Sequence, residues 1–281
     1  MTATHRQHVT AEGLGLKLDY MHLTLDTDSG IARLVLDQPG KMNAVTLGMR
    51  DQIADVFRVL ERDGRARVVI VRGAGEEAFT AGGEIAMFLE AGPGPLSYLH
   101  DNVAAAERFP GPVIAAIDGF CLGVGLEIAL SCDFRIATSR AVFGLPEVRL
   151  GMLPGSGGSQ RVARLVGLGR AKDMILRSRR IPAPEAHAWG LITQVVEPDQ
   201  LESAADALAR ELQAQPRLAV ETAKRVLNLS QDTPLSAGLQ VEGYAYGMLR
   251  GTPDFAEGVQ AFVEKRKPRY VHDPNQAPPR G

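Results

Sequence analysis

Pro112-Val-Ile-Ala-Ala-Ile-Asp-Gly119-Phe-Cys-Leu-Gly-Val-Gly-Leu-Glu127-Ile-Ala-Leu130 is the stretch whose reading decides the fold. Its first part, Val113 to Ile117, is continuously apolar, the pattern of a strand buried on both faces of a parallel sheet. Glycines follow, and the pattern then predicts a helix roughly from Gly125 to Cys132. The same alternation recurs around it. Ile31-Ala-Arg-Leu-Val-Leu36, Val68-Val-Ile-Val71 and Asp133-Phe-Arg-Ile-Ala137 read as strands, Ala78-Phe79-Thr80 as a strand end, and Val45 to Leu60 has helical periodicity. Strand–helix alternation with apolar strands argues an α/β fold with parallel pairing. From about Gln200 the character changes: Leu201 to Leu212, Arg217 to Leu229, Pro234 to Arg250 and Asp254 to Arg266 read as helices with no strand between them. Asp254 is the expected N-cap of the last, with Glu257 completing a capping-box-like start. The expected organisation is a loosely held tail over 1–20, an α/β core over 21–208, a helical oligomerisation segment over 209–271 and a disordered tail over 272–281. No repeat of fixed period is visible.

Composition sets limits on partners. The 281 residues are 45% hydrophobic and 23% charged with a formal net charge of −2, so no excess of basic residues points to nucleic acid. The longest apolar runs fall far short of membrane-spanning length. His5, Arg6, His8 and Glu12 stand where a signal peptide would need an apolar run. Cys121 and Cys132 lie in apolar surroundings and read as reduced, buried side chains of a cytoplasmic protein.

Two glutamates carry the chemistry. Glu127 stands in the segment quoted above, and Glu147 in Phe143-Gly-Leu-Pro-Glu147-Val-Arg-Leu-Gly151. Burying an unpaired carboxylate is costly, and the group responds by raising its pKa. Two such groups around one cavity can share one proton, one acting as acid and the other as base. That is the equipment for adding water across a double bond, or for moving the bond. Each also has a plain structural reading. Glu127 in a first helical turn complements the helix dipole, worth about 0.3–1 kcal/mol, and Glu147 after Pro146 suits an exposed loop. Residue chemistry alone leaves both readings open.

Glycines supply the remaining parts. Gly123-Val-Gly125 precedes the helix, where unpaired backbone N–H groups can hold an oxyanion. A second stretch, Ala81-Gly82-Gly83-Glu84-Ile85, follows the strand at 78–80, and one N–H from each stretch can together polarise a carbonyl. Other signatures fail. No phosphate loop and no G-x-S-x-G elbow occur, and Ile128 stands where the dinucleotide fingerprint needs Gly or Ala. His5, His8, His22, His100, His187 and His272 are scattered, so no metal site is expected. Arg177-Ser-Arg-Arg180 reads as a solvated face or helix end.

From about Gly30 to Arg269 the chain resembles the crotonase superfamily, most closely the enoyl-CoA hydratases. The resemblance rests on Leu36-Asp-Gln-Pro-Gly-Lys-Met-Asn-Ala44, Ala78-Phe-Thr-Ala-Gly-Gly-Glu-Ile85, Pro112 to Gly119, Phe143 to Gly151, Pro154-Gly-Ser-Gly-Gly-Ser-Gln-Arg161, Ala186-His-Ala-Trp-Gly-Leu191 and Gly258-Val-Gln-Ala-Phe-Val-Glu-Lys-Arg266. It implies a ββα spiral core with a C-terminal helical trimerisation domain, assembled as a homotrimer or a dimer of trimers, and an acyl-CoA thioester as substrate with no cofactor. It implies catalysis by Glu127 and Glu147, and an oxyanion hole from the backbone N–H groups of Gly83 and Val124. Substrate contacts would come from Ala81, Gly82, Gly123, Met87 and Phe88, with basic residues near 265–269 of a neighbouring subunit meeting the CoA phosphates. Val124 stands where the family commonly has Gly, and Gly83 where it commonly has Ala. The 3-hydroxyacyl-CoA hydrolases of this superfamily carry an Asp at the position of Gly155 and usually lack an acid at that of Glu127, which disfavours that activity. A Δ3-Δ2 enoyl-CoA isomerase, or a hydratase of a specialised enoyl-CoA, is the alternative on the same scaffold. Met87 to Leu99, with Gly-Pro-Gly-Pro at its centre, is expected to line or cover the acyl pocket.

Overall fold

The computed structural model describes residues 8–90, 92, 94 and 98–270. Among these, β1 (His8–Thr10), β2 (Met21–Asp26), β3 (Ile31–Leu36), β4 (Val68–Gly73), β6 (Val113–Ile117), β8 (Phe134–Thr138) and β11 (Gln194–Val196) form the larger of two sheets, in that spatial order. The smaller holds β5 (Ala78–Thr80), β7 (Phe120–Leu122), β9 (Val142–Gly144) and β10 (Ile181–Pro182), ordered β10-β9-β7-β5. From β3 to β11 all pairing in the larger sheet is parallel, and β5, β7 and β9 are parallel in the smaller.

Helix α1 (Leu47–Asp63) follows β3, and the chain then climbs in repeated turns. Each turn lays a strand in the larger sheet, then a strand in the smaller, then a helical stretch. β4 and β5 lead to α2 (Leu99–Val103) and α3 (Ala105–Arg108), β6 and β7 to α4 (Val124–Ser131), and β8 and β9 to α5 (Gly158–Val166) and α6 (Leu168–Leu176). This is the expected ββα spiral. Its period is invisible in the sequence because the turns differ in length: about twice as many residues separate the starts of β4 and β6 as those of β6 and β8.

The larger sheet is buried on both faces, which explains its continuous apolar strands. One face packs Val69, Val71, Ala115 and Ile117 with Ile53, Val56, Phe57 and Leu60 of α1. The other packs Val68, Ile70, Ile114 and Ile136 with Ala205 and Ala209 of α8 (Leu201–Gln213), reached after the short α7 (Ala183–Ala188). Because α8 lies across β4, β6 and β8, the core runs through 213 and does not end at 208. Residues 8–20 likewise pack onto the core and are not a loose tail. β1 pairs antiparallel with β2, and Leu14, Leu16 and Leu18 pack against the main cluster. The expected tail at 272–281 lies outside the described residues, as do residues 1–7.

Three helices close the chain: α9 (Arg217–Leu229), α10 (Leu235–Leu249) and α11 (Pro253–Glu264). The buried Lys224 ties α9 to the core, its Nζ donating to Asp133 and to the carbonyls of Ala106 and Gly111. The N-cap of α11 is Thr252, whose hydroxyl accepts from Phe255 N, and Pro253 occupies the first turn. Asp254 therefore lies inside the helix, and Glu257 instead accepts from the Arg266 guanidinium and the Arg269 N–H. Among the described residues no helix is long and apolar enough to cross a membrane.

Candidate active site

Strands β5 and β7 are parallel neighbours, so the two glycine stretches that follow them emerge side by side. The first is held by the turn at 38–45. The buried Asn43 donates to the carbonyls of Ala74 and Ala78 and accepts from Gln38 N. Ala81 N then donates to Met42 O, Val45 N to Gly82 O, and Glu84 N to Val45 O. That ladder skips Gly83, whose N–H has no acceptor among the described residues. The second stretch turns at Gly123, with φ of 54°, a conformation that favours glycine. A Cβ there would also lie 3.1 Å from Glu147 Oε1 and 3.7 Å from Gly82 Cα. The helix α4 thus starts at Val124, one residue before the expected Gly125, and the Val124 N–H is one of the orphan donors of a helix start. Gly125 has no room for a side chain, since a Cβ would lie 2.6 Å from Thr80 O. That close approach keeps the start of α4 against β5.

Glu127, in the first turn of α4, is buried, and its Oε1 accepts from Ser156 N at 2.7 Å and Gly158 N at 2.9 Å. The loop at 154–158 therefore wraps the carboxylate with backbone donors. Glu147 opens a 3-10 turn, Glu147–Leu150, after Pro146. Its Oε2 is buried and without a hydrogen-bond partner among the described residues. Burial pushes the Glu147 carboxyl up to about 7; the nearby Glu127 charge adds to this and Arg50 opposes it. The Glu147 carboxyl lies beside Gly123, the Glu127 charge acts on it, and it is part-protonated near neutral pH. The family model for enoyl-CoA hydratase/isomerase matches residues 26–273.

The chain belongs to the enoyl-CoA hydratase/isomerase family. It is a lyase of that family. It is 37% identical over 254 residues to a short-chain-enoyl-CoA hydratase of Clostridium acetobutylicum, covering 89% of this chain and 97% of the relative. It is 37% identical over 261 residues to a crotonyl-CoA hydratase of Syntrophomonas wolfei, covering 90% and 98%. Among solved structures, an enoyl-CoA hydratase from Bacillus anthracis matches with a TM-score of 0.82 at 37% identity, over 87% of this chain and 96% of that one. One from Mycobacterium smegmatis matches with a TM-score of 0.85 at 28% identity, over 90% and 99%.

Within this hydratase/isomerase scaffold, sequence reasoning missed two residues. Arg50 on α1 is 3% exposed and donates from Nη1 to Ser156 Oγ at 2.7 Å. Ser156, also buried, is the residue whose N–H holds Glu127. A signal was present for Arg50: it stands three residues before Ile53 and seven before Phe57, on the apolar stripe of α1. Nothing in the spacing marks Ser156. Of the residues expected at the substrate, Phe88 lies beside Gly83, its Cζ 3.4 Å from where a Cβ would stand. Met87 shares the 3-10 turn Ile85–Leu89 with it. Residues 91, 93 and 95–97 of the expected pocket cover lie outside the described residues. Arg177 and Arg179 are paired with Asp173, and Arg179 also with Glu185. Near 265–269, Arg266 is engaged by Glu257 and Glu264.

Proposed function

We propose that the chain adds water across the 2,3 double bond of a 2-enoyl-CoA thioester to give a 3-hydroxyacyl-CoA. The observation that carries this reading is a half-buried Glu147, its Oε2 unpartnered and its pKa raised, acting with the buried Glu127 near two N–H groups that have no acceptor among the described residues. The thioester oxygen accepts from Gly83 N and Val124 N. A water held by both carboxylates attacks C3 and gives up a proton to the pair, while the Glu147 carboxyl protonates C2. Negative charge gathers on the thioester oxygen as the C3–O bond forms, and the two N–H groups stabilise it there. Such donors act most strongly where water is excluded. The net oxidation level of the substrate does not change, so the step calls for no redox cofactor. Ala81, Gly82 and Gly123 give the backbone close access to the thioester. Phe88 and Met87 border the acyl group, and the Val124 side chain narrows the space. The test is loss of the conjugated-enoyl absorbance on mixing the protein with crotonyl-CoA, with 3-hydroxybutyryl-CoA as product. No loss, together with a gain of absorbance from a 3-enoyl-CoA, would replace the hydratase by the isomerase.

The second part of the reading is assembly as a trimer or a pair of trimers. α10 and α11 present Leu235, Tyr244, Tyr246, Phe262 and Val263 to solvent in the single chain, Tyr244 at 81% and Phe262 at 85% exposure. Apolar area on this scale marks a contact surface. A groove of about 950 Å³ between α5 and α9, bordered by Leu153, Leu165 and Leu227, adds to it. Light scattering after size exclusion is expected to give three or six protomers. Tyr244→Asp with Phe262→Asp is expected to release monomers, and a monomeric wild type would refute the assembly.

A further inference from the structure

Arg50 has no part in the steps above, yet it is a buried cation within reach of both carboxylates. The stripe of α1 on which it stands is otherwise built of Met49, Ile53, Val56, Phe57 and Leu60. A guanidinium there is costly, and its Nε is buried without a hydrogen-bond partner among the described residues. Three contacts aim it. Nη1 donates to Ser156 Oγ, the Phe88 ring lies 5.6 Å away, and Nη2 sits 3.3 Å from where a Cβ on Gly83 would be. Gly83 thereby leaves room for the guanidinium, because an alanine methyl would press on both Nη2 and Phe88 Cζ. Ser156 passes the constraint on through its N–H to Glu127 Oε1. From the other side its carbonyl accepts from Arg161, itself paired with Glu107. The charged groups acting on Glu147 are Glu127 from α4 and Arg50 from α1. Arg149, on the same turn as Glu147, turns its Nη2 to the Ser178 carbonyl.

We propose that Arg50 is a positioning residue for hydration: through Ser156 it fixes the Glu127 carboxylate, and its charge lets the two glutamates sit together with one proton between them. This rests on the hydratase reading. An uncharged side chain of similar length loses both effects. Lysine restores the charge but not the planar fork that meets Ser156 and Phe88 at once.

Arg50→Met and Arg50→Lys in the full chain test it, by pH profiles with crotonyl-CoA and by ¹³C titration of the Glu147 carboxyl, assigned with Glu147→Gln. Arg50→Met is expected to lower kcat by about 10–100-fold, the scale of a misplaced catalytic group, with KM changed by less than about threefold. The alkaline limb of the profile and the Glu147 titration should both move to higher pH, since a stabilising cation is gone. Arg50→Lys should return both towards wild type while kcat stays depressed. Unchanged profiles and titration in folded Arg50→Met, or wild-type kcat in Arg50→Lys, would reduce Arg50 to a packing residue. If Arg50→Met does not fold, Arg50→Lys decides. A wild type that hydrates no enoyl thioester overturns the hydratase reading instead, and the carboxyl titration, which needs no turnover, then settles the electrostatic half for Arg50.

Discussion

Glu147→Gln is expected to slow hydration of crotonyl-CoA by about 10³-fold, within the range for loss of a general acid, while acyl-CoA affinity changes by less than about threefold. The amide keeps the volume and polarity of the side chain but has no proton to deliver to C2. The same substitution has a second, opposite effect. The Glu147 carboxyl is held at about 7 in the folded protein, against an ordinary value of 4.5. A group whose folded pKa is raised contributes fully below its unfolded value and loses that contribution as pH climbs through the folded value. The loss therefore falls between about pH 4.5 and pH 7. Each pH unit of displacement corresponds to about 1.4 kcal/mol, so ionised Glu147 costs the fold at most about 3.5 kcal/mol at pH 8.5, and about 2 kcal/mol once solvent screening of this half-buried side chain is allowed for. Glu147→Gln should exceed the wild type in denaturant stability by about 2 kcal/mol at pH 8.5 and match it near pH 4. The wild-type rate should correspondingly decline above about pH 7, as the donor loses its proton. Rapid hydration by the variant would remove Glu147 from the mechanism. An equal stability gap at both pH values would show that its carboxyl is not strained by burial.

The larger sheet was legible because it is buried twice. Ile31–Leu36 and Val113–Ile117 appear in the structure with the bounds read from the sequence, since a strand covered on both faces is almost continuously apolar, the one exception here being Arg33, which pairs with Asp206 of α8. Glu127 and Glu147 stood out for the same reason: a carboxylate in such surroundings has little structural purpose. The smaller sheet was mostly illegible. β7 and β9 are three residues long and β10 two, too short for alternation to register. Yet it is the β5–β7 pairing that brings the two glycine stretches side by side, with Gly82 Cα 3.7 Å from where a Cβ on Gly123 would stand. β1 escaped because an edge strand of three residues, two of them exposed, looks like coil. Thr252 was passed over as a cap because Asp254 begins an equally plausible box two residues later, and only the position of Pro253 in the first turn separates them. Ser156 illustrates a further limit. Its role depends on a loop folding back across 29 residues to Glu127, and no local pattern encodes such a contact.

In the proposed mechanism Glu127 separates hydration from simple proton movement, and two substitutions resolve what it does. Glu127→Gln retains a carbonyl oxygen able to accept from Ser156 N and Gly158 N, so the 154–158 loop should hold its shape. What disappears is the carboxylate that takes a proton from water, and hydration should fall by about 10²–10⁴-fold. Moving the double bond of a 3-enoyl-CoA from C3–C4 to C2–C3 takes a proton from C2 and returns one at C4, consumes no water and can be served by Glu147 alone. Any isomerisation of a 3-enoyl-CoA should therefore survive in Glu127→Gln and vanish in Glu147→Gln. Glu127→Ala differs in kind, because it strands two buried N–H groups, each worth about 1–3 kcal/mol when unpaired. It should lower stability as well as rate, and a melting comparison with Glu127→Gln isolates that part. Hydration by Glu127→Gln within about threefold of wild type would return Glu127 to the plainer role that its position in a first helical turn allows, a carboxylate complementing the dipole of α4.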